Sequence, residues 1–329
     1  MLASLPTAET PSQQKQGAIQ TEPARCCLCG QHPQRSVAVG LDFEYAISDD
    51  VWRMDRCDPC GVLILNPRPF DSEFDRVYPP NYHAFQFDEK QFGLVHRIRQ
   101  WLEARRLLSL FQDLPANARI VDVGCGDGFH LSLLKQFGPQ TWQVEGIDAS
   151  ERAVAQAQRR GLTVTCGTVE SCVLPAESLD AVLMIMTVEH LSHPEVTVSR
   201  VAQLLKPGGR LVIVTDNANS IDAWLFGKRT WGGYHFPRHT YLFNRGSLAK
   251  LADKTGLSVA RIRTIVSPVN WVFSIRNWLV DRHWPQWIVN RFSLSTPISL
   301  TAFTMLDNIL SVMGRGAILQ AVFQKPHKG

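Results

Sequence analysis

Long apolar runs are missing from this 329-residue chain. Polar or charged residues interrupt every hydrophobic stretch before it reaches the ~20 residues that a membrane-spanning helix requires. The first 25 residues are rich in Gln, Thr, Ser and Pro and lack the apolar centre of an export signal, so 1–25 is expected to be a disordered tail and the protein to be cytoplasmic. Charge of one sign is also scarce. A formal net charge of +4 is too small for a protein that coats nucleic acid, although Arg97, Arg99, Arg105 and Arg106 form a local basic stripe, read as a solvated helix face. These absences leave an ordinary globular composition, in a chain long enough for one large core and a smaller attachment.

The smaller attachment is written in cysteines. The chain has eight, and without an export signal paired cysteines point to metal sooner than to disulfides. Two knuckles stand out, Cys26-x-x-Cys29-Gly30 and Cys57-x-x-Cys60-Gly61. Each aims two thiolates at one point, and the glycine that follows permits the backbone turn, so together they complete a tetrahedron around Zn(II). Four protein ligands leave no open coordination position, which makes the expected zinc structural. The stretches VAVGLDFEYAI and VWRMDRC between the knuckles alternate as short strands. A zinc ribbon is therefore expected over 26–70, with Cys27 a bystander, followed by a linker with helices over 71–118.

The larger part, 119–329, alternates strands and helices. RIVDVG, WQVEGID, LTVTC, LDAVLMIMT and GGRLVIVT read as strands, with helical DGFHLSLLKQFG, SERAVAQAQRRG and VTVSRVAQLLKPGG among them. Such alternation builds an α/β parallel sheet that binds ligands at the carboxyl ends of its strands. At that position lies VDVGCGDG, residues 121–128, where glycines let the backbone turn beneath a ligand. A dinucleotide fingerprint needs a third glycine where this chain has Phe129. Asp122 would repel a pyrophosphate and welcome a cationic amino-acid group. Asp148, ending the next strand, is placed to accept hydrogen bonds from ribose hydroxyls and suits either kind of nucleotide.

VDVGCGDG, EGIDAS, LDAVLMIMTVEHL and LLKPGGRLVIV together resemble the class I S-adenosylmethionine (SAM)-dependent methyltransferases, from about residue 94 to about 266. CLCG and CDPCGVLILNPRP resemble the zinc-ribbon leader of one branch of these enzymes, and WGGYHFPRHTYLF resembles a segment that approaches substrate there. The resemblance implies a Rossmann-like seven-stranded sheet whose last strand, GAILQAVFQKP, inserts antiparallel. It implies that Asp122, Gly124 and Gly126 contact the methionine end of SAM, Asp148 the ribose, and Val169 with Glu170 the adenine, while Thr187 lies where strand four opens toward the methyl group. Thr168 departs from the pattern, which often has an acid there, and weakens the adenine assignment.

Methyl transfer to a hydroxyl needs near-attack geometry, excluded water and a general base. His190, His235 and His239 are the candidates, His239 and His235 ahead of His190, because imidazole titrates near neutrality. Each also has a plain alternative as a satisfied polar group, and Asp216 and Asn217 are read as substrate contacts or turn formers. Residues 267–313 form a helical insertion between strands six and seven that carries four of the nine tryptophans. Trp271, Val272, Ile275, Trp278 and Leu279 are expected to share one apolar face, and Ala302, Phe303, Leu306, Ile309, Leu310 and Met313 another, opposite Thr304, Asp307, Asn308 and Ser311. The insertion reads as a lid packed on the core, or as a peripheral contact with the inner face of a membrane or with a lipid-linked substrate. The function expected is SAM-dependent O-methylation of a small-molecule, sugar or lipid-linked acceptor. An RNA methyltransferase that grips nucleic acid with its ribbon, or a non-catalytic SAM-binding scaffold, are the alternatives, and modest charge counts against the first.

Overall fold

The computed structural model describes residues 18–79, 82, 93–293 and 296–327. The chain begins with five strands: β1 (Thr21–Glu22), β2 (Arg35–Gly40), β3 (Trp52–Arg56), β4 (Leu63–Leu65) and β5 (Arg68–Pro69). Of the expected tail, residues 1–17 lie outside the described residues, and 18–25 are ordered, contrary to expectation. Ile19 and Ala24 are buried, Ile19 N donates to Asp50 Oδ2 at 3.0 Å, and β1 pairs antiparallel with β5. Apolar burial and backbone pairing outweigh the polar composition of this stretch.

Helices α1 (Phe74–Val77) and α2 (Gly93–Leu108) lead to the alternating part. It runs β6 (Arg119–Val123), α3 (Phe129–Phe137), β7 (Gln143–Asp148), α4 (Glu151–Arg159), β8 (Val164–Cys166), β9 (Leu179–Ile185), α5 (Pro194–Leu204) and β10 (Leu205–Asp216). After it come α6 (Ile221–Phe226), β11 (Tyr241–Leu242), α7 (Arg245–Lys254), β12 (Ser258–Ile265), α8 (Val269–Asp281), α9 (Gln286–Val289), α10 (Pro297–Val312) and β13 (Ile318–Gln324). Seven strands form one sheet in the order β12-β13-β10-β9-β6-β7-β8. The strands from β8 through β10 are parallel to their neighbours, and β13 runs antiparallel between β10 and β12. This is the class I methyltransferase sheet. Helices cover both faces, which is why β9, Leu-Asp-Ala-Val-Leu-Met-Ile, is buried through its first six residues. Chain order reverses between β6 and β9, so the crevice opens at their carboxyl ends.

The ribbon does not end at residue 70, as its sequence suggests. Its sheet has the order β11-β4-β3-β2, and the fourth strand comes from residues 241–242 of the larger part, Tyr241 opposite Ile64 and Leu242 opposite Leu63. Val62 and Ile64 share a core cluster with Phe243, Leu248 and Leu251, so the two parts have a common interior.

The insertion also departs from the expected faces. Trp271, Val272 and Leu279 of α8 are buried, but Trp278 turns outward. In α10 the inner side is mixed: Phe303, stacked 6.1 Å from Trp271, and Leu310 turn inward together with one acid, while Thr304 and Asn308 are exposed. Asp307 is fully buried and accepts from Ser267 N at 2.8 Å, Ala317 N at 3.0 Å and Trp271 Nε1 at 3.2 Å, while Leu306, Ile309 and Met313 face solvent. A carboxylate with three donors fixes the rotation of the helix more firmly than its apolar stripe does.

Candidate functional site

The crevice has a cofactor side built on glycine geometry. Gly124, at the end of β6, has φ 73°, and a Cβ there would lie 2.4 Å from Thr187 Cγ2. Only glycine lets the two loops approach this closely. Gly128 has φ 82°, and a Cβ there would meet Leu162 at 2.2 Å. Gly126 N donates to Asp148 Oδ2 at 2.8 Å, and Ser150 N to Asp148 Oδ1 at 2.8 Å, so the first loop and the second strand are tied through one carboxylate.

Asp122 supplies the electrostatic signature. It is buried, its Oδ2 has no hydrogen-bond partner, and burial, then the Asp148 charge, raise its pKa to about 8. A buried carboxylate left without a counter-charge is costly unless a cationic group arrives. The α-ammonium of a methionine moiety is such a group, so the residues present fit SAM. Val169 is less directly placed. It packs in the core with Val123 and Ile147, and Glu170 is engaged by the Thr197 hydroxyl. Thr187 is buried against Gly124, two residues beyond the end of β9.

Three residues beyond Thr187 the chain enters a histidine pocket. His190, closing a short helical turn Val188–His190, lies with its ring 4.6 Å from His239, and His235 lies 5.0 Å from His239. The structure therefore brings together all three expected histidines, and each has a distinct partner. His190 Nδ1 is 2.9 Å from the Tyr78 hydroxyl. His235, in a left-handed conformation at φ 39°, places Nδ1 2.8 Å from Glu44 Oε2. His239 Nδ1 is 2.8 Å from the Gly233 carbonyl and 3.3 Å from Asp216 Oδ2. Since those neighbours are acceptors, His239 holds its proton on Nδ1 and its lone pair on Nε2.

Burial and the neighbouring His190 and His235 push the His239 pKa well below its ordinary value, so the ring is neutral at physiological pH. Asp216 is raised to about 7 by burial and by nearby acids, against the hydrogen bond from Asn270 Nδ2 at 2.6 Å. Glu189 is raised to about 8 by burial and by Asp216, and its Oε2 accepts from Thr215 Oγ1 at 2.8 Å. Asp216 is thus a partner of His239, and Asn217 is a turn former whose Oδ1 accepts from Asn219 N at 3.0 Å.

Tyr78, Glu44 and Asn270 had no signal in the sequence. They reach the pocket from the linker, the ribbon hairpin and the insertion. Beside them Arg238, fully buried, forks onto Asp42 at 3.2 and 3.0 Å and stacks 4.3 Å over Tyr45, which locks the β2–β3 loop against the WGGYHFPRHTYLF segment.

The cysteine site is a second centre. The sulfurs of Cys26, Cys29, Cys57 and Cys60 all lie within 4.8 Å of one another, Cys29 and Cys57 at 3.6 Å. A tetrahedron with Zn–S bonds of ~2.3 Å has edges of about 3.8 Å, so the cluster is the size zinc needs. The knuckles repeat one geometry: Gly30 N donates to Cys26 O at 2.8 Å and Gly61 N to Cys57 O at 2.7 Å, with φ 74° and 76° at the glycines.

Comparison with known proteins identifies the family. A family model described as a methyltransferase domain matches residues 94–262, more than half of the chain. The ubiquinone biosynthesis O-methyltransferase of Cereibacter sphaeroides is 31% identical over 170 residues, covering 48% of this chain and 67% of that protein. That of Azoarcus sp. is 36% identical over 119 residues, covering 34% and 49%. A solved SAM-dependent methyltransferase from Archaeoglobus fulgidus overlaps 69% of this chain and 94% of its own, with 19% identity and a TM-score of 0.45. The chain belongs to the class I SAM-dependent methyltransferases.

Proposed function

We propose that the protein methylates a hydroxyl oxygen of a small-molecule, sugar or lipid-linked acceptor, with His239 as general base. The observation that carries this is the His239 geometry: Nδ1 faces the Gly233 carbonyl and Asp216, which leaves Nε2 to take a proton within the histidine pocket. SAM, when bound, supplies an electrophilic methyl group on a cationic sulfonium. Asp122, Gly124, Gly126, Asp148 and Thr187 bind and orient it, with Val169 and Glu170 at its adenine end. His239 Nε2 accepts the hydroxyl proton, Asp216 stabilises the imidazolium, and Asn270 holds Asp216. His235 with Glu44, and His190 with Tyr78, position the acceptor and help exclude water. Oxygen as the target accords with the names of the ubiquinone-pathway relatives.

Cys26, Cys29, Cys57 and Cys60 hold one structural zinc in this reading. The enzyme works in the cytoplasm, with 267–313 as its contact with lipid at the inner face of the membrane. RNA is not the acceptor we favour. Two ribbon-side lysines, Lys250 and Lys254, are spent on the carbonyls of Pro59 and Leu28, at 2.6 and 2.8 Å, and so brace the knuckles. Incubation with methyl-labelled SAM and fractionated extract tests the proposal. Label should enter small molecules or lipids through wild type and be lost with His239→Gln, whereas label in RNA would overturn it.

A further inference from the structure

The insertion presents to solvent the kind of side chain that a helix ordinarily hides. Along α10, Met305, Ile309 and Val312 are 66%, 64% and 86% exposed and recur at the spacing of one helical face. Trp284, just before α9, and Trp287, within it, are exposed as well, and Arg282 lies 5.7 Å over the ring of the outward-facing Trp278. The helix is not free to roll inward, because Asp307 on the opposite side is fixed by three donors. No described helix is long and apolar enough to cross a membrane.

Charge selects the occupant. The insertion has two carboxylates: Asp307 is buried, and Asp281 pairs with Arg229 at 2.7 Å. Arg282 and Arg291 are exposed, so the charge this face offers to solvent is positive. Two copies meeting through it would bring like charges together, while an anionic lipid surface would complement them. Tryptophan and arginine beside an aliphatic stripe is the composition of an interfacial helix, with rings at headgroup depth and aliphatic groups at the acyl boundary.

We propose that the outer face of α8–α10 docks onto an anionic lipid bilayer, with Met305, Ile309 and Val312 inserted and Trp284 and Trp287 at the headgroups. The proposal rests on the reading of 267–313 as the lipid-facing part of the methyltransferase and gives that reading a face and a lipid charge. A lipid-linked acceptor would be met where it enters the water. The core-facing side of the same insertion carries Asn270 to Asp216, so docking and the histidine pocket are two sides of one three-helix unit.

The test is co-sedimentation of the full-length, zinc-loaded protein with vesicles of phosphatidylcholine alone or mixed with phosphatidylglycerol. Wild type should bind the mixed vesicles at least tenfold more tightly than the neutral ones, and less so as salt rises. Ile309→Ser with Val312→Ser should lower that binding tenfold or more at unchanged melting temperature, since both side chains are already exposed. Arg282→Gln with Arg291→Gln should remove the preference for anionic lipid. Absent or charge-indifferent vesicle binding, or binding unmoved by the serine pair, would overturn the proposal. So would a wild-type dimer in sedimentation velocity that the serine pair dissociates, because a second copy would then be the occupant. SAM affinity measured in the same samples separates this proposal from the enzymatic one: vesicle binding without SAM binding would remove the latter and leave the former.

Discussion

Asn270, in the first helix of the insertion, donates to Asp216, at the end of β10, across 2.6 Å. On the proposed mechanism, this contact makes the insertion a support of the base as well as a neighbour of the pocket. Asn270→Ala should leave SAM affinity unchanged and slow transfer by about tenfold, since the partner of the base loses its orientation while the cofactor loop is untouched. His239→Gln should cost on the order of 10² or more. Single-turnover rates with labelled SAM are the measurement. Equal rates in Asn270→Ala and wild type would detach the insertion from the chemistry.

Asp122 gives a pH prediction. Its carboxyl is raised from 3.8 to about 8, so in the absence of cofactor the folded state holds a proton that the unfolded chain releases. Its contribution to stability is complete below 3.8 and is lost as pH rises through about 8. The melting temperature of the cofactor-free protein should therefore decline over that interval by an amount that Asp122→Asn removes. An arriving ammonium favours the charged carboxylate, so SAM binding at pH 7 should expel a proton. Calorimetry in buffers of differing ionisation enthalpy reads the proton directly.

Asp148 accepts from two backbone amides, one on each carboxylate oxygen, and each oxygen keeps a second lone pair. Asp148→Ala should weaken SAM about tenfold or more, through the loss of charge-assisted hydrogen bonds and of the tie between the first loop and the second strand. Titration calorimetry would measure it, and preferential binding of NAD by wild type would reject the cofactor assignment.

Arg238 and Asp42 form an ion pair with essentially no exposed side-chain surface. Arg238→Ala leaves Asp42 buried beside no cation, and the expected loss is about 3–5 kcal/mol in chemical denaturation. Replacing both by leucine should recover neither stability nor activity, because Asp42 also accepts from the backbone amides of Glu44, Tyr45 and Ile47 at 3.2, 3.0 and 3.3 Å and so shapes the loop that bears Glu44.

Replacing Cys29 or Cys57 by Ser should lower zinc content and stability together, since metal binding is part of the folding free energy of the ribbon. Protein purified without chelator and found free of zinc would remove the metal assignment.

The parallel core was legible because its signals are local. Buried strands, glycine turns and the cysteine knuckles each occupy a few consecutive residues, and VDVGCGDG places Asp122 and Gly124 without reference to anything distant. The pocket was only half legible. The histidines stand in the quoted motifs, but Glu44 and Asn270 are joined to them by folding alone, and Arg238 meets Asp42 across 196 positions of chain. Periodicity also marked α10 as apolar without saying which of its side chains turn inward: Phe303 and Leu310 do, and Leu306, Ile309 and Met313 do not. One buried carboxylate, Asp307, decides the rotation, and a single acid in a polar flank carries no such sign in the sequence.

The two-residue strand at Tyr241–Leu242 limits how this architecture can be cut and recombined. A ribbon excised at residue 70 would leave β4 with an open edge, and a catalytic half begun at residue 71 would leave Tyr241 and Leu242 without their backbone partners. Neither piece is a transferable cassette. Any chimera that exchanges the ribbon must carry residues 231–242 with it, so the cysteine ribbon and this segment are expected to pass between proteins as one unit, or not at all.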